Sequence, residues 1–138
     1  MKIFVSLPHH ERSEKDILQS QKDALAEIEK DENVEKDGAL ELIDTIHHLS
    51  APTNASRLWY LGESIKKLDE ADLVYFAPNW WKAKGCWVEF IAAWAYDKNV
   101  VYEYPAGVGL FNIHAIFDLV TELMTLTDND DAPKEDKK

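Results

Sequence analysis

The sequence predicts an α/β fold in which a parallel sheet is covered by helices on both faces. Three observations lead there. Short β-branched apolar runs alternate along the chain with stretches whose apolar residues recur at helical spacing. The two strongest runs, "KIFVSL" (2–7) and "DLVYFAP" (72–78), are both ended by a proline, as strands entering loops often are. The 138 residues, 46% of them hydrophobic, suit a single packed core.

In chain order, "KIFVSL" reads as a buried strand. Ser13 and Asp16 then fit a capping box, in which a side chain satisfies free amide groups at a helix start. Ile17, Ala24, Leu25 and Ile28 follow on one helical face, giving an amphipathic helix to about Lys30. "KDENVEKDG" (30–38) is a polar loop and "ALELID" (39–44) a second strand. After the loop "HHLSAPTNAS" (47–56), Leu58, Leu61, Ile65 and Leu68 mark a second helix that closes near Glu70. "DLVYFAP" is the third strand, 85–97 the third helix and "NVVYEY" (99–104) the fourth strand. Ile113, Ile116, Phe117, Val120, Leu123 and Met124 define a last helix. The globular domain thus covers 1–126. The charged "TDNDDAPKEDKK" (127–138) has no apolar anchors and reads as a disordered acidic tail. In a fold of this order, ligands bind at the carboxyl ends of the strands, so loops 8–12, 44–57, 78–84 and 104–111 carry the functional expectation.

The formal charge of -11 argues against a nucleic-acid polymer or an anionic membrane as partner, since both favour basic surfaces. One cysteine permits no internal disulfide and no cysteine-based zinc site. The pairs His9-His10 and His47-His48 lack an acid or further histidine at ligand spacing, so no metal site is expected. No apolar run has the length of a membrane span, and "MKIFVSLP" is too short for a secretory signal. These features predict a soluble, cytoplasmic protein.

The segment "NWWKAKGCWVEF" (79–90) concentrates the candidate chemistry. Glu89 is the sole charged residue between Gly85 and Tyr96. On a helix it shares a face with Gly85, Ala92 and Ala93, which leave room above its carboxylate. Two readings stand: a nucleophile or base facing a bound sugar, or a favourable acid near a helix amino end, paired with Lys82 or Lys84. Trp80 and Trp81 either stack on a ligand, or one caps the core while the other meets a partner subunit. In the first loop, Arg12 and Ser13 stand at a helix amino end suited to an anion. That loop has no glycine and carries Glu11, which opposes the same role.

Taken together, "MKIFVSLP", "RSEKDI", "LWYLGESIKKLDEADLVYFAP" and W-K-A-K-G-C-x-x-E resemble the nucleoside 2-deoxyribosyltransferase-like proteins, in particular their small bacterial and phage branch of unknown function. The resemblance covers about residues 1–104 and is carried best by ADLVYFAP together with GCxxE. It implies a Rossmann-like, flavodoxin-like three-layer fold with a parallel sheet of four or five strands. It also implies cleavage of the N-glycosidic bond of a 2'-deoxynucleoside or its monophosphate, with Glu89 as nucleophile. Ser6, Arg12, Ser13, Asn79, Trp80, Trp81 and Gly85 would bind the substrate, with Asn79 and the two tryptophans at the base, and Arg12 and Ser13 near the sugar or phosphate. No metal or organic cofactor is implied, and members commonly form homodimers or larger assemblies. Two features differ from the active transferases: Ser56-Arg57 and Pro78-Asn79 stand where those enzymes carry acids. These differences keep a second expectation open, a nucleotide-binding module without turnover. A third is a protein-interaction role for the acidic surface and the tryptophans.

Overall fold

The computed structural model describes residues 1–9, 11–46, 51–103 and 110–126, with the side chains of 110–114 left aside. The chain divides into two compact units, Met1–Pro105 and Ala106–Lys138. The first holds β1 (Lys2–Ser6), α1 (Glu14–Lys30), β2 (Glu41–Leu42), α2 (Arg57–Leu68), β3 (Leu73–Phe76), α3 (Lys84–Ala95) and β4 (Val100–Tyr102). The described part of the second is α4 (Leu110–Thr125), which coincides with the predicted last helix.

The four strands form one all-parallel sheet in the order β2-β1-β3-β4, a Rossmann-like, flavodoxin-like α/β arrangement. Strand order reverses between β1 and β3, which places the switch point there. The two strands are in register from Ile3 opposite Leu73 to Ser6 opposite Phe76, so their carboxyl ends finish side by side.

Alternation along the strands sorts the core into two layers. Ile3, Val5 and Leu7 join Leu73 and Ala77 on one face, packed against Ile17, Ala24 and Ile28 of α1. The alternate positions Phe4, Ser6, Val74 and Phe76 are also buried. Of these, Phe76 meets Phe90 of α3 with ring centroids 5.3 Å apart, which marks the other face as that of α3. Helices therefore cover both faces, as the alternating pattern predicts.

Boundaries follow local chemistry. Ser13 caps α1 by accepting a hydrogen bond from the Asp16 amide at 3.1 Å, and Ser56 caps α2 through the Trp59 amide at 3.1 Å. The second strand is shorter than the predicted 39–44. Regular pairing spans only Glu41–Leu42, although the Glu41 and Ile43 amides bond to the Met1 and Ile3 carbonyls at 2.8 and 2.9 Å. As an edge strand it has one neighbour to hold it, and Gly38, at φ +77°, turns the chain just before it. Among the described residues, no helix is long and apolar enough to cross a membrane. His10, His47, His48 and the tail 127–138 lie outside the described residues.

Candidate functional site

Ser6 closes β1 on the α3 side of the sheet and is 1% exposed. Opposite it, Cys86 and Glu89 stand three residues apart on α3, hence on one helical face. Cys86 is buried; Glu89 is half-buried, but its Oε2 is shut off from solvent. Ser6 acts on both side chains and favours the ionised form of each. Neither Ser6 Oγ nor Glu89 Oε2, however, has a hydrogen-bond partner. Burying such groups without partners is costly, which marks the cluster as unusual within the core.

Burial dominates the electrostatics. It pushes the Glu89 carboxyl up from its ordinary 4.5 to about 7, with Ser6 opposing the rise. Burial also pushes the Cys86 thiol up to about 12, helped by the adjacent Glu89 charge, again with Ser6 opposing. Lys82 and Lys84 are exposed and neither acts on Glu89, so the pairing with a helix-start lysine does not form. Gly85 lies beside α2: a Cβ there would meet Leu61 Cδ1 at 3.8 Å, an ordinary contact.

The other expected site residues lie elsewhere. Arg12 and Asn79 line a cleft of about 310 Å³ together with Leu7, Tyr75 and Ala77. These three side chains alternate with Ser6 and Phe76, which puts the cleft on the α1 face rather than beside Glu89. Ser20, Asp23 and Glu27 of α1 complete its polar wall. Both terminal nitrogens of Arg12 are occupied inside the fold. Nη1 donates to the Pro8 carbonyl at 3.2 Å, and Nη2 donates to the Asp16 carbonyl at 3.0 Å and to Ser20 Oγ. Ser13 is occupied by its capping bond. The loop pair expected near a phosphate is therefore committed to holding the start of α1.

The tryptophan pair separates as well. Trp80 takes the core alternative, at 1% exposure. Its ring stacks on Phe90 with centroids 4.8 Å apart and packs against Trp87 at 4.7 Å, and its Nε1 donates to the Glu103 carbonyl at 3.2 Å. A ring enclosed in this way has no face left for a base. Trp81 is half-buried, and its carbonyl accepts from Trp87 Nε1 at 2.8 Å. Asn79 is exposed and adopts φ 67°, a left-handed conformation that asparagine tolerates, so it turns the chain from β3 into the tryptophan segment.

Two groups of residues escaped the sequence reading. Cys86 entered there as an unpaired cysteine and as part of GCxxE, without a role in the site, although its three-residue spacing from Glu89 is visible in the sequence. Tyr75 is the sole hydroxyl in "DLVYFAP". Burial, and then the charges of Glu103, Glu27 and Asp31, push its hydroxyl above the ordinary tyrosine range. No family model, curated protein or solved structure matches this chain.

Proposed function

We propose that this chain binds a 2'-deoxynucleoside or its monophosphate and breaks the N-glycosidic bond, with Glu89 as nucleophile. One observation carries the reading. A carboxyl oxygen without a hydrogen-bond partner is enclosed beside the equally unpartnered Ser6 hydroxyl, next to the carboxyl ends of β1 and β3. A strand-end position at a switch in strand order is where folds of this kind hold their ligands.

In the first step a Glu89 carboxylate oxygen bonds to the anomeric carbon. The C–N bond breaks, its electron pair leaves with the base, and the base takes a proton from solvent. Water or a second base then displaces Glu89 from the sugar and restores the carboxylate. Both steps pass through an oxocarbenium-like state, which a neighbouring carboxylate stabilises. Enclosure strengthens that stabilisation, since few waters screen the charge. A cytoplasmic location and a homodimeric or larger assembly belong to the same proposal.

The test is incubation with deoxynucleosides and their 5'-monophosphates, with free base followed by chromatography. Release of base by the wild type and its loss in Glu89→Ala, by about 100-fold or more, is the expected result. Equal release by both proteins overturns the nucleophile. Thermal stabilisation by a nucleotide with no release of base assigns a binding module instead.

A further inference from the structure

We propose that the cleft on the α1 face is a second binding site, which takes a small organic cation: Asp23 and Glu27 hold a primary ammonium, and its apolar body lies against Tyr75 and the floor of the cleft. The site is on the opposite face of the sheet from Glu89 and does not rest on the N-glycoside reading.

The cleft, of about 310 Å³, lies where β1 and β3 end side by side, at the reversal in strand order. Open α/β sheets receive ligands at such a place, and this volume stands at the small end of the range of ligand pockets. Leu7 and Ala77, each just past a strand end, and Ala24 of α1 are buried and give the cleft an apolar floor. The half-buried Tyr75 adds an aromatic ring.

Charge decides the class of ligand. Asp23 and Glu27 stand four residues apart on α1, hence one above the other on the same helical face. Two like charges at that spacing weaken a helix, and a cation set between them relieves the repulsion. Asp23 has a neutral partner, accepting from Gln19 Nε2 at 3.0 Å. Glu27 meets Lys30 only at 4.0 Å, in an exposed pair that solvent screens. The charge of Glu27 also acts on the Tyr75 hydroxyl, as does that of Glu103 just past β4.

Arg12 lines the same cleft, but its guanidinium is turned onto the Pro8 and Asp16 carbonyls and Ser20 Oγ. An anion would therefore meet two carboxylates and a guanidinium already engaged, whereas an ammonium meets two charged acceptors. A bare metal ion suits the wall less well. Hard cations take six or more oxygens, and among the described residues no three metal-ligating side chains come together. The apolar floor favours an amine with a hydrocarbon body, and a tyrosine ring attracts a cation placed over its face.

Titration calorimetry on the intact chain at low ionic strength tests this with three probes of one shape and different charge: phenethylammonium, 2-phenylethanol and phenylacetate. Phenethylammonium is expected to bind about tenfold tighter than the alcohol, and phenylacetate to give no heat of binding. Asp23→Asn combined with Glu27→Gln should weaken the amine by about tenfold. Both acids are exposed, so this double variant keeps its fold. Tyr75→Leu, which removes the ring, should weaken the amine by about threefold. In the wild type, phenethylammonium is expected to shift the amide NMR signals of Ala24, Tyr75 and Ala77. No heat from phenethylammonium up to about 10 mM overturns the site. Equal affinity for the alcohol overturns the ammonium, and an unchanged affinity in the double variant overturns the acid pair. Tighter binding of inorganic phosphate or Mg2+ than of the amine overturns the class of ligand. Should Tyr75→Leu fail to fold, the double variant and the three probes decide. Absence of base release in every assay would sink the N-glycoside reading and leave this site standing.

Discussion

Glu89 couples the stability of this protein to pH, and the sign follows from the direction of its shift. Its carboxyl moves from an ordinary 4.5 up to about 7 on folding, because the ionised form is poorly accommodated where it is buried. The folded state therefore binds the proton more tightly than the unfolded chain does. The resulting stabilisation is fully present below pH 4.5 and is lost as pH rises through 7. A shift of this size corresponds to roughly 3 kcal/mol. Glu89→Gln keeps the shape and removes the charge, so the variant is expected to be more stable than wild type by about 3 kcal/mol at pH 8. At pH 5 the difference should shrink to about 1 kcal/mol, and at pH 4 the two should be nearly equal. Urea unfolding at these pH values checks this, and a constant difference between the proteins would rule it out. Release of base, if it requires the carboxylate, rises with pH through about 7 in the wild type. Stability and reactivity then run in opposite directions at the same side chain.

At the scale of elements, the sequence signals that proved readable are those set by local chemistry. Ser13 and Asp16 mark the start of α1 because a cap needs only a side-chain oxygen and an amide three residues on. Removing the cap by Ser13→Ala should cost about 1 kcal/mol, seen as a lower thermal midpoint. The prolines after β1 and β3 mark strand ends for an equally local reason. What stayed hidden depends on which face of the sheet each helix covers. Ser6 and Leu7 are neighbours in sequence, yet they point to opposite layers, one toward Glu89 and one toward the Arg12 cleft. No local pattern states the strand order that makes those layers separate. Trp80 was ambiguous for a related reason: a tryptophan in a loop can stack on a ligand or on a core, and its neighbours decide. Here Phe76, Trp87 and Phe90 surround it. Trp80→Ala is accordingly expected to destabilise the protein by about 3–5 kcal/mol, measured by urea unfolding. A loss below about 1 kcal/mol would place the ring outside the core.

For the whole molecule the governing quantity is a net charge of -11 on 138 residues. Like charges spread over a compact surface repel, and folding brings them closer together. Salt relieves this, since the screening length falls from about 30 Å at 0.01 M to about 10 Å at 0.1 M. At pH 8 that change should stabilise the protein by roughly 1 kcal/mol, about 4 °C in thermal midpoint for a chain of this size. The same pH range also ionises Glu89, so the surface and buried contributions must be separated. Ions in solution screen exposed charges strongly and a shielded carboxylate weakly. Glu89→Gln and wild type should therefore show the same salt dependence at pH 8 while differing in their dependence on pH. Near the isoelectric point of about 4.8 the surface repulsion vanishes, and the salt effect should disappear in both proteins. At high salt, where repulsion is screened throughout, a fall in stability between pH 5 and pH 8 should persist in the wild type and be much reduced in Glu89→Gln. If high salt removes the fall from the wild type as well, the pH dependence belongs to the surface charge and Glu89 is not its source.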